Sequence, residues 1–253
     1  MENRTIDIDF ATYLKKAIEN RLNQKRVFWT KPDFGLSNAI RFSLLLENNN
    51  KVFVKAATDT DTEGWLRTEH SVLSSYKEEF MPKIIDWIEE PENFPILITQ
   101  DFSDAYWAAN NNGVSWRNGD IDLLLETVKR LSNVKGHHTL SHLKSNNANV
   151  WTKIASNPDG FLKLKLCSKK WLLDNIEYLI MAQNNVNETG TTLVHGDIRS
   201  DNICIKNNNV VFVDWSNAAI GNAEHDLANL LPTLQLEGGP LPFQIMPNAA
   251  NQA

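Results

Sequence analysis

Cysteine is almost absent from this 253-residue chain. Its two copies, Cys167 and Cys204, lie far apart and outside any C-x-x-C spacing. That excludes a disulfide framework and a thiolate zinc site, and it fits a reducing compartment. Long apolar runs are missing as well, none approaching the roughly 20 residues that a membrane helix needs. There is no basic excess: the net charge is −6, which excludes a broad cationic face for nucleic acid. The opening Met1-Glu2-Asn3-Arg4-Thr5-Ile6-Asp7 is polar and acidic, unlike a signal peptide. The expectation is a soluble, cytoplasmic protein with neither a membrane nor a nucleic-acid partner.

What is present is 42% hydrophobic and 22% charged residues, enough for one large domain or for two lobes sharing a cleft. Asparagine is abundant, in Asn48-Asn49-Asn50, Asn110-Asn111-Asn112 and Asn207-Asn208-Asn209. These runs read as turn tips, where asparagine tolerates left-handed backbone angles.

The first hundred residues read as strands with one helix among them. Arg41 to Leu46 and Lys51 to Ala56 form a predicted hairpin, and Thr60 to Tyr76 has helical periodicity through Trp65, Leu66, Val72, Leu73 and Tyr76. Lys83 to Glu89 and Phe94 to Phe102 read as two more strands. The order β-β-α-β-β implies a small sheet with a crossing helix. Beyond Phe102 a loop runs to Asp120, a plausible helix cap, and helices are predicted from Ile121 to Leu131 and from Ser168 to Gln183. Thr191 to Val194 is a strand, Ile203 to Lys206 and Val210 to Val213 a hairpin, and Asp226 to Leu231 begins a last helix. An α+β chain of two lobes follows, a β-rich one over 1–102 and a mainly helical one over 103–253.

The densest polar cluster is His195-Gly196-Asp197-Ile198-Arg199-Ser200-Asp201-Asn202, with Val213-Asp214-Trp215 after it. Phosphoryl transfer needs a carboxylate facing the attacking hydroxyl and oxygen ligands for a magnesium ion that offsets phosphate charge. Asp197, on a turn just past a strand, suits the first task. Asn202 and Asp214 are equidistant from Asn208. With that residue as the turn centre they form a cross-strand pair on one face, roughly 4.5–5.5 Å apart at Cβ, and a credible magnesium site.

A second signal lies in the first lobe. Lys55 ends the apolar run Val52-Phe53-Val54, where an unpaired ammonium is costly. On the helical wheel Glu69 falls near the centre of the apolar arc of 60–76 and Glu63 well outside it, so Lys55 is expected to pair with Glu69.

Taken together, His195-Gly196-Asp197, Asn202 and Asp214-Trp215 resemble the aminoglycoside phosphotransferase and choline kinase group of the protein-kinase-like fold. The likeness extends to Gly221, Asp226-Leu227-Ala228, Leu230-Leu231-Pro232 and Glu237-Gly238-Gly239-Pro240, and spans roughly residues 26 to 240. It implies an enzyme that uses ATP and magnesium to phosphorylate a hydroxyl of a small molecule. Asp197 would then orient or deprotonate the acceptor, and Asn202 and Asp214 would bind magnesium. Lys55 would contact the α- and β-phosphates, held by Glu69. His195 would bond nearby backbone, and Asp226 would brace the loop from its helix. Gln100-Asp101-Phe102 would be the hinge whose backbone meets adenine, and Gly35 and Ser37 would belong to the phosphate-covering loop, which has one glycine. Relatives continue for several dozen residues past the Glu-Gly-Gly-Pro segment. The shorter tail here implies an open acceptor site, one completed by another chain, or a non-catalytic nucleotide-binding or scaffold protein. The short interval from Asp214 to Asp226 leaves no room for the long activation segment of a protein kinase.

Three further features are set aside. Asp59 to Gly64 starts like a calcium loop, but position 12 is His70, and its acids suit a helix N-terminus. His137, His138 and His142 lack further ligands at zinc spacing. Trp107, Trp116 and Trp151 are read as packing residues.

Overall fold

The structure, a computed structural model, describes residues 8–32, 37–143 and 149–246, with side chains from residue 13 onward in the first of these. In chain order the elements are α1 (Ile8–Leu22), β1 (Arg26–Thr30), β2 (Ile40–Leu46), β3 (Lys51–Ala56), α2 (Thr60–Ser75), β4 (Ile84–Ile88) and β5 (Ile96–Gln100). Three two-residue strands follow, β6 (Tyr106–Trp107), β7 (Ala109–Asn110) and β8 (Gly113–Val114). Then come α3 (Asp120–Leu131), α4 (Val150–Ser156), α5 (Asp159–Leu162), α6 (Lys169–Asn184), β9 (Thr192–Val194), β10 (Ile203–Lys206), β11 (Asn209–Phe212), β12 (Ala219–Gly221), α7 (His225–Leu236) and α8 (Pro242–Ile245). The result is the expected α+β arrangement, an antiparallel N-terminal sheet followed by a mainly helical half. Among the described residues no helix is long and apolar enough to cross a membrane.

The N-terminal sheet has the order β1-β2-β3-β5-β4 and every pairing in it is antiparallel. Strand alternation sorts its faces. Val52, Val54 and Ala56 of β3, with Leu44, Leu46, Ile96 and Ile98, pack against Leu14 and Ile18 of α1. Leu97 turns the other way, joining Leu66, Val72 and Leu73 of α2 in a cluster shared with Phe80, Leu124, Leu193, Phe212 and Trp215. So α2 is buried partly by the sheet and partly by the second half, and the two halves have a common core.

The structure adds α1 and β1 to the expected β-β-α-β-β order. Leu14, Ala17, Ile18 and Leu22 sit at helical spacing on α1, and Leu14 and Ile18 are buried by the outer face of the sheet. Two smaller expectations are corrected. Asp120 is the first residue of α3 rather than its cap, which is Gly119 at φ +85. The Asp120 carboxylate instead accepts from the Arg117 amide and guanidinium. Trp65 turns out to solvent, and the buried face of α2 is Thr62, Leu66, Glu69, Val72 and Leu73, with Glu69 in its middle.

Candidate active site

Lys55 lies opposite Arg41 on β2 and Leu97 on β5, on the sheet face away from α1. Its Nζ stands 2.7 and 2.9 Å from the two carboxylate oxygens of Glu69 and 3.1 Å from Oδ1 of Asp214. Glu63 pairs instead with Arg67, as the wheel requires. Burial works against the Lys55 ammonium, but Glu69 and Asp214 outweigh it and hold its pKa above the ordinary lysine value. The attraction of Lys55 keeps Asp214 well below the usual carboxylate range, with Arg41 and a hydrogen bond from Ser216 adding to it. Burial pushes the Glu69 carboxyl up through loss of water, while Lys55 and the Trp215 amide pull it back.

The loop after β9 is fixed from behind. Asp226, buried at the head of α7, accepts from the amides of His195 at 2.7 Å and Gly196 at 2.9 Å. His195 is fully buried, with Nδ1 receiving the Asp197 amide and Nε2 against the carbonyl of Val213. That pattern selects the tautomer with the proton on Nε2, and burial pushes the imidazole pKa down, keeping it neutral. Gly196 has φ +79, and a Cβ there would stand 2.6 Å from the carbonyl oxygen of Asn217, so glycine is required. The backbone thus bends sharply and presents Asp197.

Asp197 is partly buried. The Asn202 amide nitrogen donates both to its Oδ2, at 3.1 Å, and to its backbone carbonyl, at 2.9 Å. Arg199 lies 3.4 Å from its Oδ1 and also pairs with Asp201. Burial raises the Asp197 pKa, and Arg199 draws it back.

The hairpin after this loop differs from the expected register by one position. Asn207 and Asn208 both have positive φ, 52° and 58°, and close a two-residue turn of the mirror-image type that suits hairpins. Lys206 therefore pairs with Asn209 and Ile203 with Phe212. Asn202 consequently faces Val213, whose amide donates to its carbonyl at 3.0 Å, rather than Asp214. Asp214 comes one residue later, and its left-handed backbone, φ +65, accompanies the turn from strand to helical turn that sets its side chain on Lys55. Asp197, Asn202, Asp214, Lys55 and Glu69 are thus brought together in two contacts, Glu69–Lys55–Asp214 and Asn202–Asp197, which lie within each other's fields.

The remaining expected residues lie elsewhere. Gln100 ends β5 three positions along the strand from Leu97, roughly 10 Å from the level of Lys55. Phe102 is buried with Cys204 and Val211, and its carbonyl accepts from Ala105 and the Trp107 indole. Between them, Asp101 caps the Ser103 amide with Oδ1 while its Oδ2 is buried with no hydrogen-bond partner among the described residues. Gly35 lies outside the described residues. Ser37 is described, and its hydroxyl accepts from the Arg41 guanidinium.

Of the features set aside, Asp59 is the N-cap of α2, in a capping box with Thr62. Trp116 donates to Glu237, and Trp151 packs on Phe161. Among the described residues no three His, Cys, Asp or Glu side chains gather as a metal site. Arg41 and Arg199 join the cluster of Asp197 and Asp214 without being among the expected residues. The second could have been marked by its place two residues after Asp197. The first depends on the β2–β3 register.

No curated protein sequence matches the chain. Solved structures do. Macrolide 2'-phosphotransferase MphH from Brachybacterium faecium is similar at TM-score 0.60 and 12% identity, over 95% of this chain and 82% of that one. Aminoglycoside-3'-phosphotransferase of type VIII is similar at TM-score 0.54 and 18% identity, over 94% and 90%. The streptomycin-ATP-APH(2")-IIa ternary complex is similar at TM-score 0.53 and 14% identity, over 97% and 86%. At these identities the likeness shows the two-lobed kinase-like fold. The profile of the phosphotransferase enzyme family matches residues 41–250, most of the chain, and the chain belongs to that family.

Proposed function

We propose that the chain transfers the γ-phosphoryl group of ATP to a hydroxyl of a small molecule, with magnesium as the accompanying cation. The observation that supports this most directly is Lys55, whose single ammonium is shared by Glu69 from the sheet half and Asp214 from the helical half. A cation so placed sits where phosphates lying between the halves would meet it.

In this reading residues 1–102 form the nucleotide lobe and residues 103–253 carry the catalytic loop and the acceptor pocket. The base lies at the backbone of Gln100 and Phe102, and the phosphates lie at Lys55, with Ser37 and Gly35 in the covering loop. The roughly 10 Å between the two levels of the sheet suits an extended nucleotide. Glu69 holds Lys55 in position. Asp197 accepts a hydrogen bond from the acceptor hydroxyl and directs its oxygen at the γ-phosphorus. As that O–P bond forms, the bond from the γ-phosphorus to the leaving ADP oxygen breaks and the hydroxyl proton passes to Asp197. The Asn202 amide, already donating to Asp197, fixes which way the carboxylate points.

The residues present fit magnesium. Asp214 is held ionised. Asn202 spends its side-chain nitrogen on Asp197, which leaves its side-chain oxygen Oδ1 as a hard donor. Two side-chain oxygens suit a cation that otherwise keeps waters and phosphate oxygens. When bound, the ion offsets the charge of the phosphates.

The acceptor is an aminoglycoside-like antibiotic or a hydroxyl-bearing metabolite. The test is ADP release across a panel of aminoglycosides, macrolides and metabolites, with Asp197→Asn as control. Turnover that Asp197→Asn abolishes supports the proposal. Magnesium-dependent ATP binding without turnover on any acceptor would replace it with a non-catalytic nucleotide-binding role.

A further inference from the structure

Arg41 and Lys55 are directly opposite in the β2–β3 pair, so their side chains leave the sheet on the same face, the one turned from α1. Arg41 is only partly exposed and its field reaches Asp214. Its guanidinium donates to the hydroxyl of Ser37. The segment beside Ser37 is itself tied down, since Asn38 donates to Asp59 at 3.3 Å and its carbonyl accepts from Thr58 at 3.1 Å. Arg41 is therefore held between the start of β2 and the Lys55 cluster.

The charges around Lys55 show what a second cation there does. Lys55 meets two carboxylates, Glu69 and Asp214, so the trio carries one positive charge against two negative ones. Asp197 adds a further negative charge close by. A polyphosphate approaching this cluster meets net repulsion from the protein's own groups unless other positive charge faces it. One metal ion offsets part of that. Arg41 is the neighbouring strand's cation on the same face, and a planar guanidinium suits two phosphate oxygens better than an ammonium does.

We propose that Arg41 binds the terminal phosphates of the nucleotide alongside Lys55, so that two cations from adjacent strands, rather than one, grip the polyphosphate. The inference rests on the phosphotransferase reading above and adds a residue to it.

The experiment measures the affinities of adenosine, AMP, ADP and ATP in magnesium buffer by calorimetric titration, for the wild-type protein, Arg41→Gln and Arg41→Lys. Thermal melting of each variant without nucleotide reports folding. The expected result is that Arg41→Gln weakens ADP and ATP by about tenfold or more, the worth of one charge-assisted contact, while adenosine is unchanged. Arg41→Lys recovers part of the loss, because it restores charge without the fork. Unchanged ATP affinity in Arg41→Gln overturns the inference alone. Equal losses for adenosine and ATP also overturn it, because they mean that Arg41 shapes the sheet rather than touching phosphate. A wild-type protein that binds none of the four overturns the phosphotransferase reading and this inference together.

Discussion

Asp226, at the head of α7, holds two consecutive amides some thirty residues before it, those of His195 and Gly196, one on each carboxylate oxygen. Both donors point at a buried carboxylate, and nothing but an acceptor can satisfy them. Asp226→Asn keeps the shape but turns an NH2 towards one of the amides. We expect a loss of about 1–3 kcal/mol in urea unfolding, the cost of an unsatisfied buried donor. A fall in turnover larger than the loss in folded fraction would show that the loop, and not only the fold, depends on the brace.

Removing Lys55 leaves Glu69 buried and uncompensated. Lys55→Met is expected to destabilise by roughly 3–5 kcal/mol. The unpaired carboxyl then has a folded-state pKa above its unfolded one. Its penalty is present at high pH and shrinks as the pH falls and the group takes a proton. The double variant Lys55→Met/Glu69→Leu recovers most of the stability and none of the ATP turnover. Recovery of both would remove Lys55 from the chemistry.

Two glycines make opposite predictions for the same substitution. Gly196→Ala places a methyl against the Asn217 backbone at positive φ, at a cost of at least ~1–2 kcal/mol, with loss of activity because Asp197 follows it. Gly64, on the exposed side of α2, has nothing within 4 Å of an added Cβ. Gly64→Ala is expected to stabilise by ~0.5–1 kcal/mol with activity unchanged. Differential scanning calorimetry reads both.

His195 is buried and neutral, with its pKa lowered from an ordinary value near 6.5. Below that value the unfolded chain takes up a proton that the folded one does not. Stability is therefore fully present above about 6.5 and falls as the pH drops through this range. His195→Asn, although less stable at neutral pH, is expected to show a shallower acid slope. Parallel slopes would mean that His195 does not titrate with unfolding.

The pairing of Lys55 with Glu69 was legible because a carboxylate in the middle of an apolar helical arc contradicts its surroundings, and only a partner resolves that. The cluster from His195 to Asn202 was legible because its residue types have few other reasons to stand so close together. The hairpin register was not. A two-residue and a three-residue turn are both open to Asn207-Asn208-Asn209, and only the paired strands decide which asparagines turn left-handed. α1 carries Leu14, Ala17, Ile18 and Leu22 at helical spacing, but this stripe is interrupted by many polar residues and gains its weight only where the sheet covers it. Arg41 escaped for the same reason as the register, since its importance lies in a neighbour fourteen positions away across a turn.

Trp215, directly after Asp214, is wholly buried, stacks on Phe80, packs at a tilt against His195, and donates its indole N–H to the Phe212 carbonyl at 2.8 Å. A carboxylate next to so anchored a residue is set in place when the chain folds. A ligand that meets Asp214 has little conformational freedom to freeze there, and more of its contact energy remains for grip and orientation.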